Sequence, residues 1–252
     1  MLFGNKKRKA EYIVDVHCHI MPGVDDGARD MGETLKMLEI AESEGITHMI
    51  VTPHYKSGYH NASAEKVRTL MEDVMAAAKE CGINMELFQG NEILYHDEMY
   101  QGIEEGRISR MNGTDYVLVE YMPSDTFQYI RNSLDEIISE GYQPIVAHVE
   151  RYGCMIDNIH NVIEIKRMGA EIQVNASSIV GDMGKDAKKF VHRLLKEQIV
   201  DYVGTDAHRC EGSRIPKMRE CSEILYKKYD EDYVNEILYI NAMDRLLQIG
   251  QL

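Results

Sequence analysis

Residues 12–54 read YIVDVHCHIMPGVDDGARDMGETLKMLEIAESEGITHMIVTPH and contain one complete unit of a strand, a helix and a second strand. The runs 12–17 and 46–52 are rich in β-branched and apolar residues, which favour strands. Between these runs, Leu35, Leu38 and Ala41 recur at the period of an α-helix. Two strands that are joined through a helix predict a parallel pair with a crossover connection.

The same alternation continues along the whole chain. Further strand-like runs cover 84–90, 116–120, 144–149, 171–175 and 200–204, and helices are predicted over 213–228 and 232–247. Seven strands that alternate with helices in 252 residues fit a closed or nearly closed barrel better than an open sheet. No linker or change in composition divides the chain, so we predict a single α/β domain over residues 12–252.

Composition excludes several classes of protein. No apolar run approaches the roughly 18 residues that span a bilayer, so we expect a cytoplasmic protein that is not transmembrane. A formal net charge of −14 argues against binding nucleic acid, which relies on a basic surface. The five cysteines form no C-x-x-C pair and indicate reduced thiols. Residues 1–11 form a basic segment whose KKRK sequence indicates a solvated terminus, with contact to acidic lipid or a partner protein as the alternative.

Residues that can bind metals recur where the predicted strands end. In parallel βα architectures these ends share one face, on which active sites form. Five of the ten histidines lie within a residue or two of a strand end, and acidic residues occupy similar places. Asn175 ends the sixth strand in the same manner. We therefore predict a metal site built from nine residues, which are His17, His19, Asp26, His54, Glu92, Glu120, His148, Asp206 and His208.

The number and type of these ligands indicate the ions. A tetrahedral ion takes four ligands, so nine candidates imply two or three divalent ions that share carboxylate bridges. Imidazole and carboxylate ligands without thiolate favour Mn²⁺, Fe²⁺ or Zn²⁺ and do not distinguish among them. The other five histidines lie elsewhere in the pattern and are assigned structural or surface roles; they are His48, His60, His96, His160 and His192.

Two arginines lie close to the predicted ligands in the sequence. Arg151 follows His148 in AHVERY, and Arg214 lies in the loop after His208. A guanidinium group can bind phosphate oxygens through two parallel hydrogen bonds. Each arginine could instead form an ordinary surface salt bridge, and the sequence leaves both interpretations open.

Six motifs in order, DVHCHIMPGVDDGARD, TPHY, GNEI, VLVEY, AHVERY and GTDAH, resemble the PHP (polymerase and histidinol phosphatase) superfamily. Within it, the chain is similar to the CpsB/CapC-type manganese-dependent protein-tyrosine phosphatases of Gram-positive capsule and exopolysaccharide loci. This resemblance implies a distorted, TIM-barrel-like (β/α)₇ barrel with a trinuclear site, most often Mn²⁺, at its C-terminal rim. Residues 12–252 would then form a PHP-type metal-dependent phosphatase domain.

The resemblance also implies how the ligands are shared. His17, His19, Glu92 and Asp206 would hold the first ion. Glu92 would bridge to a second ion, which Glu120 and His148 also hold. The third ion would be held by Asp26, His54 and His208, although Asp25 is adjacent to Asp26 and is an alternative.

The function implied by the resemblance is hydrolysis of phosphotyrosine by a hydroxide that bridges two metal ions. Arg151 and Arg214 would bind the phosphoryl oxygens, and Asp206 or His208 would donate a proton. The implied partner is a phosphotyrosyl protein, specifically a bacterial tyrosine autokinase. No cysteine is followed by arginine at the sixth position, so a phosphocysteine mechanism of the C-x₅-R type is not supported.

Three alternative functions fit the same metal cluster. The first is a phosphatase of a small phosphate ester such as histidinol phosphate. The second is a nuclease or polymerase-associated editing domain, which the acidic charge disfavours. The third is a metal-binding regulatory module that docks on a kinase without catalysis.

Overall fold

Parallel strand pairing defines this fold, in a computed structural model that describes residues 12–248. The predicted basic segment 1–11 and residues 249–252 lie outside the described residues. The strands are β1 Val14–Cys18, β2 His48–Val51, β3 His54–Tyr55, β4 Glu86–Gln89, β5 Glu92–Leu94, β6 Tyr116–Glu120, β7 Gln143–Val146, β8 Glu171–Asn175 and β9 Tyr202–Gly204. They form one sheet of order β1-β2-β4 and another of order β3-β5-β6-β7-β8-β9.

Backbone contacts join the two sheets into a curled surface. β3 follows β2 directly across Pro53, and β5 follows β4 across Gly90 and Asn91. Proline has no N–H, so it interrupts the hydrogen-bonded ladder at this point. At the other side, β1 meets the segment after β9, where the backbone N–H of His19 donates to the Ala207 carbonyl at 2.8 Å. The result is a curled parallel sheet with all its strand ends on one rim.

The strand predictions agree with this architecture. Each of the seven predicted runs overlaps one strand, namely β1, β2, β4, β6, β7, β8 or β9. The short strands β3 and β5 were not predicted, because they contain two and three residues and continue β2 and β4 after an interruption. The prediction of a parallel α/β fold is therefore confirmed. A count of seven units requires that each interrupted strand be treated as one.

Helices connect the strands and pack on the outside of the sheet. They are α1 Met31–Ser43, α2 Ala64–Glu80, α3 Met99–Glu104, α4 Phe127–Ser139, α5 Gly153–Asp157, α6 Ile159–Met168, α7 Ala176–Val180, α8 Lys185–Lys196, α9 Arg219–Lys228 and α10 Glu231–Asn235. Short 3₁₀ turns cover Met111–Gly113 and Val149–Arg151. α10 continues as π-helical turns through Glu236–Ile240 and Ala242–Leu247, as the prediction over 232–247 requires. Among residues 12–248, no helix is both long enough and apolar enough to cross a bilayer.

The prediction of a helix from residue 213 is wrong at its start. α9 begins at Arg219, because residues 208–214 close a loop in which the N–H groups of His208 and Arg209 both donate to the Arg214 carbonyl. These bonds measure 2.8 and 3.1 Å. The loop keeps Arg214 near the strand end that carries His208.

Two apolar clusters hold the fold together. The larger lies between the strands and the helices; in α1, for example, Met37, Leu38 and Ala41 are buried against the sheet. The smaller lies inside the curled sheet and includes Val16 and Leu246. Leu246 comes from the final π-helical segment, so the C-terminal chain helps to fill the interior of the sheet. Polar residues can then occupy the opposite rim.

Gly204 tests how tightly β9 packs on β1. A Cβ atom at this position would lie 2.7 Å from the Cβ atom of His17 and 3.0 Å from Nε2 of Gln173. We expect Gly204→Ala to lower the free energy of unfolding by about 1–3 kcal/mol, because the two strands must separate. Chemical denaturation in the presence of a chelator measures this change. Gly153→Ala is the control, since its Cβ would contact only the Pro123 carbonyl at 3.6 Å; equal stability of the two variants would contradict the prediction.

Candidate metal centre

The first group of candidate ligand atoms comes from the end of β1, the start of β5 and the segment after β9. His17 and His19 lie two residues apart on an extended chain, so their side chains point to the same side. Their Nε2 atoms lie 3.2 Å apart, and Oε2 of Glu92 lies 3.2 Å from each of them. Oδ1 of Asp206 is slightly more distant, at 3.7 Å from His17 Nε2 and 3.5 Å from His19 Nε2. These four side chains are buried.

The second group surrounds the other side of Glu92. Oε1 of Glu92 lies 2.7 Å from Nε2 of His148, and Oε2 lies 3.0 Å from Nδ1 of His54. Glu120, at the end of β6, places one oxygen 3.3 Å from Nδ1 of His54 and the other 3.9 Å from Nε2 of His148. Glu92 is thus positioned to bridge two neighbouring ions.

The third group lies at the outer edge of the cluster. Oδ1 of Asp26 is 3.4 Å from Nε2 of His54 and 3.4 Å from Nε2 of His208. A nitrogen of His19 lies within 4.8 Å of these atoms as well. Asp26 is more exposed than the other two side chains, so this group faces solvent.

All nine predicted ligands therefore lie in one cluster, and their geometry fits metal ions. Ligands at 2.0–2.1 Å from a tetrahedral ion are separated by about 3.3 Å, close to the spacing of the first group. Nδ1 of His54 and Oε2 of Glu92 are buried and have no hydrogen-bond partner. Buried polar atoms without partners are rare in proteins, and an ion between them would satisfy both. Within residues 12–248, none of the other five histidines contributes to the three groups.

The structure shows which of the two neighbouring carboxylates, Asp25 or Asp26, faces the ring nitrogens of the cluster. Oδ2 of Asp25 accepts a hydrogen bond from Nδ1 of His19 at 2.7 Å and another from the N–H of His54 at 3.0 Å. Asp25 is therefore placed behind the His19 ring, as outer carboxylates are in metal sites. Asp26 faces the ring nitrogens of His54 and His208 directly.

Sequence reasoning missed two other residues that orient the site. Oε1 of Gln173 accepts hydrogen bonds from Nδ1 of His17 at 3.2 Å and from the N–H of His148 at 2.7 Å. The hydroxyl of Tyr152 lies 3.4 Å from Nδ1 of His148. Gln173 lies two residues before Asn175, whose Nδ2 donates to Asp206 at 3.0 Å. Alternate residues of a strand face the same side, so the position of Asn175 at the end of β8 could have indicated Gln173.

Two ligands have backbones in the left-handed region, which is unusual outside glycine. The φ angles are 30° for His148 and 52° for Asp206. Such conformations cost about 1–3 kcal/mol each and persist only where the surroundings fix them. The His148 N–H donates to Gln173, and the Asp206 N–H donates to the His17 carbonyl at 2.7 Å. The strained turns aim both side chains into the cluster.

Both predicted arginines reach the cluster. The Arg151 guanidinium is paired with Oδ2 of Asp206. Nη2 of Arg214 lies 3.2 Å from Oδ1 of Asp206 and 2.9 Å from Nε2 of His208. Burial raises the pKa of Asp206, but His17 and Arg151 outweigh burial and hold that pKa below its usual value. The arginines are therefore more than isolated surface charges.

The carboxylates strongly affect the imidazoles. Burial lowers the pKa of His19, but Asp25 and Glu92 outweigh it and raise the pKa to about 10. Burial likewise lowers the pKa of His54, and Glu120 and Glu92 raise it to about 9. Both rings are thus protonated at neutral pH when no metal is bound. Only a neutral imidazole binds a metal, so each ion must displace protons.

Comparison with known proteins places this geometry in a family. The family described as "Capsular polysaccharide synthesis, CpsB/CapC" matches residues 13–247. The chain belongs to this family. Tyrosine-protein phosphatase CpsB of Streptococcus pneumoniae is 28% identical over 244 residues, which cover 93% of this chain and 100% of that protein. The predicted resemblance is confirmed.

Solved structures agree with this assignment to the CpsB/CapC family. A structure of YwqE from Bacillus subtilis and CpsB from S. pneumoniae, described as unique metal-dependent tyrosine phosphatases, matches with a TM-score of 0.86 at 26% identity. The match covers 95% of this chain and 96% of that chain. A histidinol phosphate phosphatase from Lactococcus lactis gives a TM-score of 0.56 at 15% identity and covers 86% of this chain and 94% of that chain, which shows a shared fold.

Glu92→Gln should remove the bridge between the first two groups. We expect metal affinity to fall by more than the about 10- to 100-fold that an outer-shell partner contributes, because Glu92 supplies two central oxygens. Metal content after dialysis, measured by mass spectrometry, tests this. Glu86→Gln, an exposed residue on the preceding strand, is the matched control and should retain its metal. Wild-type metal content in Glu92→Gln would contradict the prediction.

Metal binding should release protons. At pH 7.5, below the pKa values of about 10 for His19 and about 9 for His54, both rings start protonated and lose a proton when an ion binds. The release should decline as pH rises through 9 to 10, where the metal-free rings are already neutral. Calorimetric titration with Mn²⁺ in buffers of different ionisation enthalpy measures it. The control variant His192→Gln, outside the cluster, should release the same number of protons as the wild-type protein. A titration that shows no proton release at pH 7.5 would refute the assignment of His19 and His54 as ligands.

Proposed function

We propose that this chain is a metal-dependent protein-tyrosine phosphatase. The observation that carries the proposal is the set of nine candidate ligands, all buried or partly buried except Asp26, that converges beside two arginines on the rim of a CpsB/CapC-family fold. A regulatory module without catalysis would not need guanidinium groups at the ligand cluster. The relatives named tyrosine-protein phosphatases support hydrolysis of phosphotyrosine over hydrolysis of histidinol phosphate.

We assign the ligands to two or three divalent ions, most simply Mn²⁺, with Fe²⁺ and Zn²⁺ as alternatives. His17, His19, Glu92 and Asp206 hold the first ion, Glu92, Glu120 and His148 the second, and Asp26, His54 and His208 the third. The distances above support this division, and the short contact of His54 Nδ1 with Glu120 links the last two groups. When bound, such ions activate water and neutralise phosphoryl oxygens.

The chain's own residues bind and orient the phosphate. Arg151 and Arg214 are both paired with Asp206, and they would be available to phosphoryl oxygens if that carboxylate were neutralised by a bound divalent ion. This electrostatic stabilisation accounts for much of the catalysis in comparable sites. A tyrosyl phenolate has a pKa near 10 and leaves with little assistance. The depressed pKa of Asp206 favours a ligand role over proton donation. Burial and His19 lower the pKa of His208, which likewise favours a ligand role.

The finer assignments follow the family. We propose that the molecule is a distorted (β/α)₇ barrel, in which β2 with β3 and β4 with β5 each count as one strand. We propose a bacterial tyrosine autokinase that regulates capsular or exopolysaccharide synthesis as the phosphotyrosyl substrate, and a cytoplasmic location. The description of the family as capsular polysaccharide synthesis proteins supports this choice.

Purified protein loaded with Mn²⁺ should release phosphate from phosphotyrosyl peptides, and a chelator should abolish the activity. Arg151→Ala should lower kcat by about 10²- to 10³-fold, the cost of removing one group that stabilises transition-state charge. Arg131→Ala, which breaks an exposed ion pair with Glu164, is the matched control. Phosphate release from histidinol phosphate alone would favour the small-ester phosphatase, and activity that survives chelation would refute the metal mechanism.

A further inference from the structure

Exposed apolar side chains are concentrated around one part of the rim that carries the metal centre. Among residues 12–248, seven large hydrophobic side chains are exposed, and five of them follow strand ends: three lie in loops, one in the first turn of α4 and one in the short helix α5. These five, which we call the apolar arc, are Tyr59, Met122, Tyr129, Ile156 and Met183. Tyr59 and Met122 have exposed fractions of 74% and 53%. The apolar arc is therefore a localised feature of the surface.

The strands that precede the apolar arc are neighbours. Tyr59 follows β3, Met122 and Tyr129 follow β6, Ile156 follows β7 and Met183 follows β8. With β5, these strands are consecutive in the second sheet. His54, Glu92, Glu120 and His148 lie on four of these strands or within two residues of them, so the apolar arc lies on the rim that carries the ligand cluster.

Tyr129 is supported by rings that lead inward to the metal centre. Its ring meets that of Tyr121 at a centroid distance of 6.4 Å and an interplanar angle of 87°. Tyr121 meets Tyr152 at 5.8 Å and 82°, and the Tyr152 hydroxyl lies 3.4 Å from Nδ1 of His148. Edge-to-face contacts of this kind fix ring orientations. The exposed Tyr129 ring is thus linked to the candidate ligand His148 through two intervening rings, Tyr121 and Tyr152.

The remainder of the rim has a different character. The ends of β9 and β1 carry Arg214, Arg209 and Asp26 on the loops that follow them. Arg151 follows β7, one of the strands of the apolar arc, and its guanidinium is paired with Asp206, which follows β9. Phosphate is accommodated by the charged part and the ligand cluster, whereas aromatic and methionine side chains are typical of protein interfaces. A small phosphate ester would leave the apolar arc without a partner.

We propose that the apolar arc binds the polypeptide on either side of the phosphotyrosine, and that substrates with apolar or aromatic residues next to that tyrosine are preferred. This proposal rests on the proposed phosphatase function and names its substrate class. Glu92 and His17 are buried, so the phosphotyrosine ring must descend from the surface to reach them. If an extended segment lies on Met122 and Tyr129, its phosphotyrosine ring can reach the depth of Glu92 and His17. The residues on either side of the phosphotyrosine then stay on the apolar arc.

The experiment compares three substrates with the Mn²⁺-loaded protein. Two are phosphotyrosyl peptides of equal length, one flanked by leucine and phenylalanine and one by serine and glycine; the third is p-nitrophenyl phosphate, which has no flanking chain. Wild-type kcat/KM should be about tenfold higher for the apolar peptide, the effect of losing a modest interface contact. Met122→Ser combined with Tyr129→Ser should remove this preference and leave p-nitrophenyl phosphate turnover unchanged. Met122→Ser alone should reduce the preference for the apolar peptide partly. Met75→Ser, at an exposed position on α2, should not change that preference.

Each other outcome overturns the proposal. Equal kcat/KM for both peptides with wild-type protein shows that the apolar arc does not bind the residues next to the phosphotyrosine. If the single and double variants lose as much kcat/KM on p-nitrophenyl phosphate as on the apolar peptide, the substituted residues have a structural role instead. A sedimentation coefficient that falls in the variants shows that a second copy of the chain occupies the apolar arc. Failure of the wild-type protein on all three substrates refutes the phosphatase function itself, so the two failures are distinguishable.

Discussion

Burial of one carboxylate among four imidazoles is the constraint on which the rest of this structure depends. Oε1 of Glu92 lies 2.7 Å from His148, and Oε2 lies 3.0 Å from His54 and 3.2 Å from both His17 and His19. Burial raises the pKa of Glu92, but His17 and His148 outweigh it and hold the pKa well below its usual value. A carboxylate removed from water requires such partners. The curled sheet meets this need because it brings the ends of β1, β3 and β7 around β5.

The parts of this arrangement that follow a regular repeat can be predicted from the sequence. Strand alternation places His17 and His19 on one side, and parallel βα units place the other strand ends on the same rim. Local turns are not periodic, and there the sequence was insufficient. Asp25 and Asp26 are chemically identical neighbours, and only the path of the loop decides which one supports His19 and which one faces His54. The start of α9 was likewise decided by hydrogen bonds to the Arg214 carbonyl, which no pattern of apolar residues encodes.

Residues that hold the candidate ligands in place were harder to predict than the convergence of those candidates. Gln173 is an unremarkable residue type on a buried strand, yet its amide oxygen holds both His17 and the backbone of His148. The left-handed backbones of His148 and Asp206 leave no signature in the sequence, because neither residue is glycine. Their strain is acceptable because surrounding hydrogen bonds fix the turns, and those bonds come from strands distant in sequence. Local propensity therefore cannot anticipate them.

Charge balance links metal loading to substrate binding. Four of the nine candidate ligands are carboxylates, namely Asp26, Glu92, Glu120 and Asp206, and two divalent ions would neutralise them; a third ion would leave an excess of positive charge. In the metal-free protein, Arg151 and Arg214 instead balance Asp206. An ion bound to Asp206 would replace that role and leave both guanidinium groups without a strong anionic partner. A phosphate dianion then becomes their natural partner, even though the chain as a whole carries a net charge of −14. Bound metal ions, and not the composition of the whole sequence, would then set the local charge and attract anions to the site.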